Sequence, residues 1–131
     1  MRDFETEMLV YVRLAELAAR KSQPIGRDRF LLLAGVAACR AGWPEVADQC
    51  RRLVLEHNPK HLVGRYASLA DAVRDNQAEP FFRRLERFCP FERAEYLLSE
   101  LGIRVPDLRL ADETAGDAAA RMLRSCGPQT R

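Results

Sequence analysis

Apolar residues recur along this chain at helical spacing, and the recurrences break at glycine and proline. Over residues 3–21, Phe4, Met8, Tyr11, Val12, Ala15 and Ala18 form one stripe, which predicts an amphipathic helix. Arg20 and Lys21 stand at its C-terminal end, where cations suit the helix dipole. Ser22-Gln23-Pro24-Ile25-Gly26 interrupts the stripe. Asp28 is then placed to cap a second helix, whose run from Phe30 to Cys39 is apolar around the whole circumference. A helix of that kind is covered on several sides, so it is predicted to be the central one. Gly42 is placed to stop it, and Pro44 to open the next helix where a missing N–H costs nothing.

The third predicted helix, about 44–57, aligns Val46, Cys50, Leu53, Val54 and His57, and Asn58-Pro59 ends it. A fourth, about 61–75, turns Leu62, Tyr66, Leu69, Ala70 and Val73 inward. A short fifth opens at Pro80 with Phe81, Phe82, Leu85 and Phe88, and a sixth, about 91–101, offers Phe91, Ala94, Leu97, Leu98 and Leu101. Gly102 followed by Ile103 has the form of a Schellman stop. Beyond Val105-Pro106 the large apolar residues thin out to Leu108, Leu110, Met122 and Leu123. The expected organisation is a helical domain over 1–103 and a tail over 104–131. The tail carries one weak helix from Asp112 to about 124, and Gly127-Pro128-Gln129 closes it.

Composition supports an all-α chain: 18 alanines, 17 leucines and 19 arginines, against 10 isoleucines and valines together. A length of 131 residues suits one domain with a real core. The longest uncharged apolar run, Phe30–Cys39, is half of the ~20 residues a spanning helix needs, so no membrane segment is expected. Charges at Arg2, Asp3, Glu5, Glu7, Arg13 and Glu16 interrupt any signal-peptide core. Cys39, Cys50, Cys89 and Cys126 form no CxxC pair and lie in apolar helical patterns, the signature of buried thiols in a reducing compartment; a cytoplasmic location is expected. The formal charge of +2 is evenly mixed, since residues 28–59 and 79–95 each hold four basic and four acidic side chains. A nucleic-acid footprint would be one-signed, so nucleic acid is not an expected partner.

Candidate chemistry is sparse. His57 and His61 have the separation of a zinc-binding pair, but Pro59 breaks the helix between them, and no metal or cofactor is expected. Nucleophile and phosphate-loop motifs do not occur, and the four serines stand in no nucleophile setting. Arg83, Arg84 and Arg87, interleaved with Phe81, Phe82 and Phe88, have the chemistry to bind phosphate or an acidic peptide. The simpler expectation is aromatics inward and arginines outward, neutralised by Glu79 and Glu86 at helix-pair spacing.

The 34 residues from Asp28 to His61 resemble a tetratricopeptide repeat. Leu31, Ala34, Gly35, Ala38, Ala47, Val54 and Pro59 fall on that family's large anchor, small positions and closing proline, and Gly42 on its turn glycine. Leu31 stands where tryptophan is common, Arg51 replaces an aromatic, and Leu69 sits where the following unit would carry a small residue. The resemblance implies a right-handed array of antiparallel helical hairpins, about six helices plus the tail, whose A helices line a concave groove. In the best unit those positions are Arg29, Leu32, Val36 and Arg40, with Tyr66 and Arg74 as second-unit equivalents. The function it implies is a non-catalytic interaction module or scaffold for a protein or peptide partner. If the first helix covers Leu32 and Val36, the groove is filled. The competing reading is a small helical enzyme or ligand-binding bundle with a pocket lined by Tyr66, His57 and Tyr96. Oligomeric state is not legible.

Overall fold

The computed structural model describes residues 2–127, and among these the fold is all-helical with no strand. Seven α-helices follow one another: α1 (Phe4–Arg20), α2 (Pro24–Ala41), α3 (Pro44–His57), α4 (Leu69–Arg74), α5 (Glu79–Phe88), α6 (Phe91–Glu100) and α7 (Ala115–Leu123). Short 3-10 turns at Leu62–Arg65, Asn76–Ala78, Val105–Leu108 and Arg124–Cys126 join or extend them.

The predicted stops operate as the backbone chemistry requires. Gly42 and Gly102 take left-handed φ values of 83° and 73°, and the Ile103 N–H donates to the Leu98 carbonyl (3.0 Å), completing the expected Schellman closure. Pro44 lies in the first turn of α3, as expected, and Pro24 does the same for α2. The second helix therefore begins one turn before the expected Asp28. That residue does not cap it: Asp28 lies inside α2, buried.

The helix expected over 61–75 is broken in two. His61 uses Nδ1 to accept from the Val63 N–H (3.2 Å), and Arg51 donates to the carbonyls of Val63 (3.1 Å) and Tyr66 (2.5 Å). These side-chain bonds take up backbone groups that an uninterrupted helix would pair internally. Helix α4 restarts only where the Ser68 hydroxyl accepts from the Asp71 N–H (3.1 Å).

Helix α2 is central, as its all-round apolar character predicts. Every residue from Leu31 to Ala38 is buried, beneath α1, α3, α4 and α5. Arg27 bonds Leu53, Asp28 bonds His57 and Gly35 faces Cys50, so α2 and α3 run antiparallel. At Gly35 a Cβ would overlap Leu69 of α4, so this close approach requires glycine or a shifted leucine.

The stretch expected as a tail does contain the helix anticipated there, and it seals the core. Ala115, Ala118, Ala119, Met122, Leu123 and Cys126 are buried, with α7 against α1 and α3. Gly116 lies so close to the Trp43 ring that a Cβ there would overlap it, and Trp43 is held in turn by its indole N–H donating to Glu5 (2.7 Å). Ahead of α7, Glu113 accepts from the guanidinium of Arg121 within that helix (2.8 Å), which holds the carboxyl down to about 2. Pro128 and Gln129 lie outside the described residues. No helix among the described residues is long and apolar enough to cross a membrane.

Candidate functional site

Two clefts flank α5 where it lies against α2. The first, about 500 Å³, is walled by α1, α2 and α6 and contains Val36 and Arg40. The second, about 470 Å³, is walled by α2, the C-terminal end of α3 and α5, and contains Arg29 and Leu32. The six residues expected to line one groove are thus divided. Leu32 and Val36 are buried, while Arg29 and Arg40 are exposed at different openings. Tyr66 and Arg74 line neither cleft: the Tyr66 hydroxyl donates to Asp75 (2.7 Å), and Arg74 pairs with Asp71 (2.6 Å). The alternative pocket of Tyr66, His57 and Tyr96 does not assemble either, since Tyr96 lies on a separate surface beside Gly102–Val105.

In the first cleft both cations are paired, and Glu92 is the one charged group without an ion pair among the described residues. Arg2 donates two bonds to Glu7 (2.9 and 2.8 Å) and lies 5.0 Å from the Phe4 ring centroid. Arg40 pairs with Glu86 at 3.6 Å and lies 5.8 Å from the same ring. The buried Tyr11 hydroxyl donates to the Cys89 carbonyl (2.7 Å), and burial pushes its pKa up, keeping it a neutral donor.

The second cleft rests on a buried ionic chain. Arg27 and Asp28 are 8% and 9% exposed, and the guanidinium donates to Oδ1 of Asp28 (3.1 and 2.9 Å), to the Leu53 carbonyl (3.0 Å) and to the Cys126 carbonyl (2.5 Å). The other carboxylate oxygen accepts from Nδ1 of His57 (2.5 Å). Both oxygens of Asp28 are engaged, so the one carboxylate in the lining is already compensated by Arg27. The cleft's other charged residues, Arg29 and Arg84, make no ion pair or hydrogen bond among the described residues. The guanidinium of Arg29 lies instead over the Phe88 ring, 4.8 Å from its centroid.

Apolar groups complete the wall. Ile25 is 65% exposed and Phe88 37%, over a floor that includes Leu32 and Leu85. Phe81 packs edge-on against His61, with centroids 5.3 Å apart. Burial lowers the His61 pKa, and its Nδ1 is taken by Val63, so the neutral ring carries its proton on Nε2 as a donor. The arginine-aromatic stretch therefore does not behave as one neutralised face. Arg83 pairs with Glu79 as expected, but Glu86 turns to Arg40, and Arg84 enters the cleft.

The two histidines line the same cleft although Pro59 breaks the helix between them; Nδ1 of His57 is bound to Asp28 and Nδ1 of His61 to Val63. No group of three or more metal-ligating side chains forms among the described residues. Cys50, Cys89 and Cys126 are buried and Cys39 half-buried. Burial pushes all four thiols up, Cys126 to about 12, which leaves them un-ionised and poor nucleophiles at neutral pH. The chain matches no protein-family model, no curated protein and no solved structure.

Proposed function

We propose that this chain is a non-catalytic binding module that takes a short, acidic and apolar segment of a partner protein into the cleft between α2, α3 and α5. The observation that carries the reading is the presence of two arginines, Arg29 and Arg84, without carboxylate partners among the described residues, beside the exposed Ile25 and Phe88. An acidic side chain supplies the missing countercharge, and an apolar neighbour covers the aromatic wall. A tetratricopeptide-like hairpin stack remains the proposed architecture, with recognition at the α2–α5 cleft in place of a continuous groove.

A displayed library of random peptides, selected on the purified full chain, tests this. Acidic residues adjacent to Leu, Ile or aromatic residues should be enriched. The substitutions Arg29→Glu and Arg84→Glu should each weaken a selected peptide at least ~10-fold, because a charge-assisted hydrogen bond gives way to like-charge repulsion. Arg40→Glu in the other cleft should leave its affinity unchanged. Selection of basic peptides, or equal loss from Arg40→Glu, rules the reading out.

A second reading rests on Asp28 and His57. A carboxylate fixed on Nδ1 leaves Nε2 as a proton acceptor, the arrangement of a general base. Among the described residues the cleft lining contains no serine, threonine or cysteine, so such a base would have to act on water or directly on a substrate. Ester hydrolysis by the full chain that His57→Gln abolishes would favour this reading; a selected peptide that retains its affinity in His57→Ala with no hydrolysis detected favours the first.

A further inference from the structure

We infer that the anionic group taken by the α2–α5 cleft is a phosphoryl group, carried as a phosphoserine or phosphothreonine on the bound segment. This rests on the binding reading above and names its ligand. Arg29 from α2 and Arg84 from α5 bring two permanent positive charges, and the only carboxylate in the lining among the described residues, Asp28, has both oxygens occupied by Arg27 and His57. One carboxylate side chain brings a single negative charge and would leave one arginine uncompensated. A phosphate monoester carries about −1.5 to −2 at neutral pH and presents three acceptor oxygens.

The donors available match that group. Each guanidinium offers a fork of N–H groups suited to bidentate contact with phosphate. Nε2 of His61, unengaged among the described residues, carries that ring's proton and adds a further donor. Two of these groups are held in place before any ligand arrives. His61 is anchored by the Val63 N–H at its Nδ1 and by the Phe81 ring, and Arg29 rests against Phe88, which in turn packs on Phe30 with centroids 5.6 Å apart. Donors fixed in advance lose less entropy on binding. The rest of the segment lies against Ile25, Phe81 and Phe88, so a free phosphate ion would gain only part of the available contact.

The test uses the full chain and three synthetic peptides identical except at one position, where a leucine-flanked residue is phosphoserine, glutamate or serine, with inorganic phosphate as a fourth probe. Binding is read by nuclear magnetic resonance titration of the histidine and arginine side-chain signals. The expected order is phosphoserine tightest, at least ~10-fold over glutamate, with serine undetectable. The affinity should fall steeply with salt, and at least ~10-fold on Arg84→Gln or Arg29→Gln. Arg40→Gln should change nothing, and an unaltered thermal midpoint shows that each variant is folded. Equal binding of the glutamate and phosphoserine peptides overturns the phosphoryl assignment and leaves the acidic-segment reading standing. Inorganic phosphate binding as tightly as the phosphopeptide overturns the peptide part, and no saturable binding of any probe overturns both.

Discussion

The cleft of α1, α2 and α6 and the cleft of α2, α3 and α5 share helix α2, border the same helix α5, and differ little in volume, about 500 against 470 Å³. Their charged groups have opposite fates. In the first, Arg2 closes on Glu7 and Arg40 on Glu86, so both cations are satisfied within the fold, and the charge left over is the carboxylate of Glu92, which makes no ion pair among the described residues. In the second, the ion pair Arg27–Asp28, with His57 hydrogen-bonded to it, backs the wall, and two further arginines have no carboxylate partner among the described residues. Size alone would not separate them. Compensation does, because an uncompensated charge beside exposed apolar surface has interaction energy left to give to a partner.

The largest expected effect comes from the wall of the second cleft. Asp28→Ala leaves Arg27 buried with its charge unpaired, which should cost about 3–5 kcal/mol. Glu7→Ala in the first cleft frees Arg2, whose side chain is 55% exposed and returns to water, so the loss should be about 1 kcal/mol or less. Urea denaturation followed by circular dichroism measures both. Equal losses would mean that the two clefts are built on the same footing.

Next in size is Gly116→Ala, outside both clefts. Its Cβ would overlap the rigid Trp43 ring, an overpacking expected to cost about 1–3 kcal/mol without changing peptide affinity. Tyr11→Phe, in the first cleft, removes the bond to the buried Cys89 carbonyl and should cost about 1 kcal/mol, again with peptide affinity intact. If either variant weakened a selected peptide at an unchanged folded fraction, binding would extend beyond the second cleft.

Which parts were legible in sequence follows from the range of the interactions involved. Gly42, Pro44 and Gly102 act through their own backbone chemistry, and their predicted roles hold. The central position of α2 was legible because a helix apolar on all sides has to be covered. Asp28 was misplaced because Pro24 supplies an equally good helix start one turn earlier, and the carboxylate is committed to His57, 29 residues away. The break between 61 and 69 depends on Arg51 reaching across from α3, a contact that local pattern does not contain. The stretch 115–126 looked thin in large apolar residues, yet small ones serve where a helix must lie close against Trp43. The second cleft combines two features that were visible separately, the histidine pair and the arginine-aromatic stretch. Only tertiary packing brings His57, His61, Phe81, Arg84 and Arg29 to one opening.

The smallest effect separates the two clefts most directly. Arg40 and Glu86 are 36% and 47% exposed at their side chains, so Arg40→Ala should cost about 0.2–1 kcal/mol in low salt. Raising the ionic strength to about 1 M shortens the screening length to about 3 Å, and the difference from the parent chain should then vanish. Arg84 gives up no ion pair among the described residues, so Arg84→Ala should stay within about 0.5 kcal/mol of the parent. Its sign should lean towards stabilisation in low salt, because a cation is removed from a cleft that also holds Arg29. Thermal midpoints of both variants at two salt concentrations resolve the contrast. A destabilisation in Arg84→Ala that matches Arg40→Ala and is screened in the same way would show that Arg84 already has an internal partner, and the second cleft would then have Arg29 alone to offer an anionic ligand.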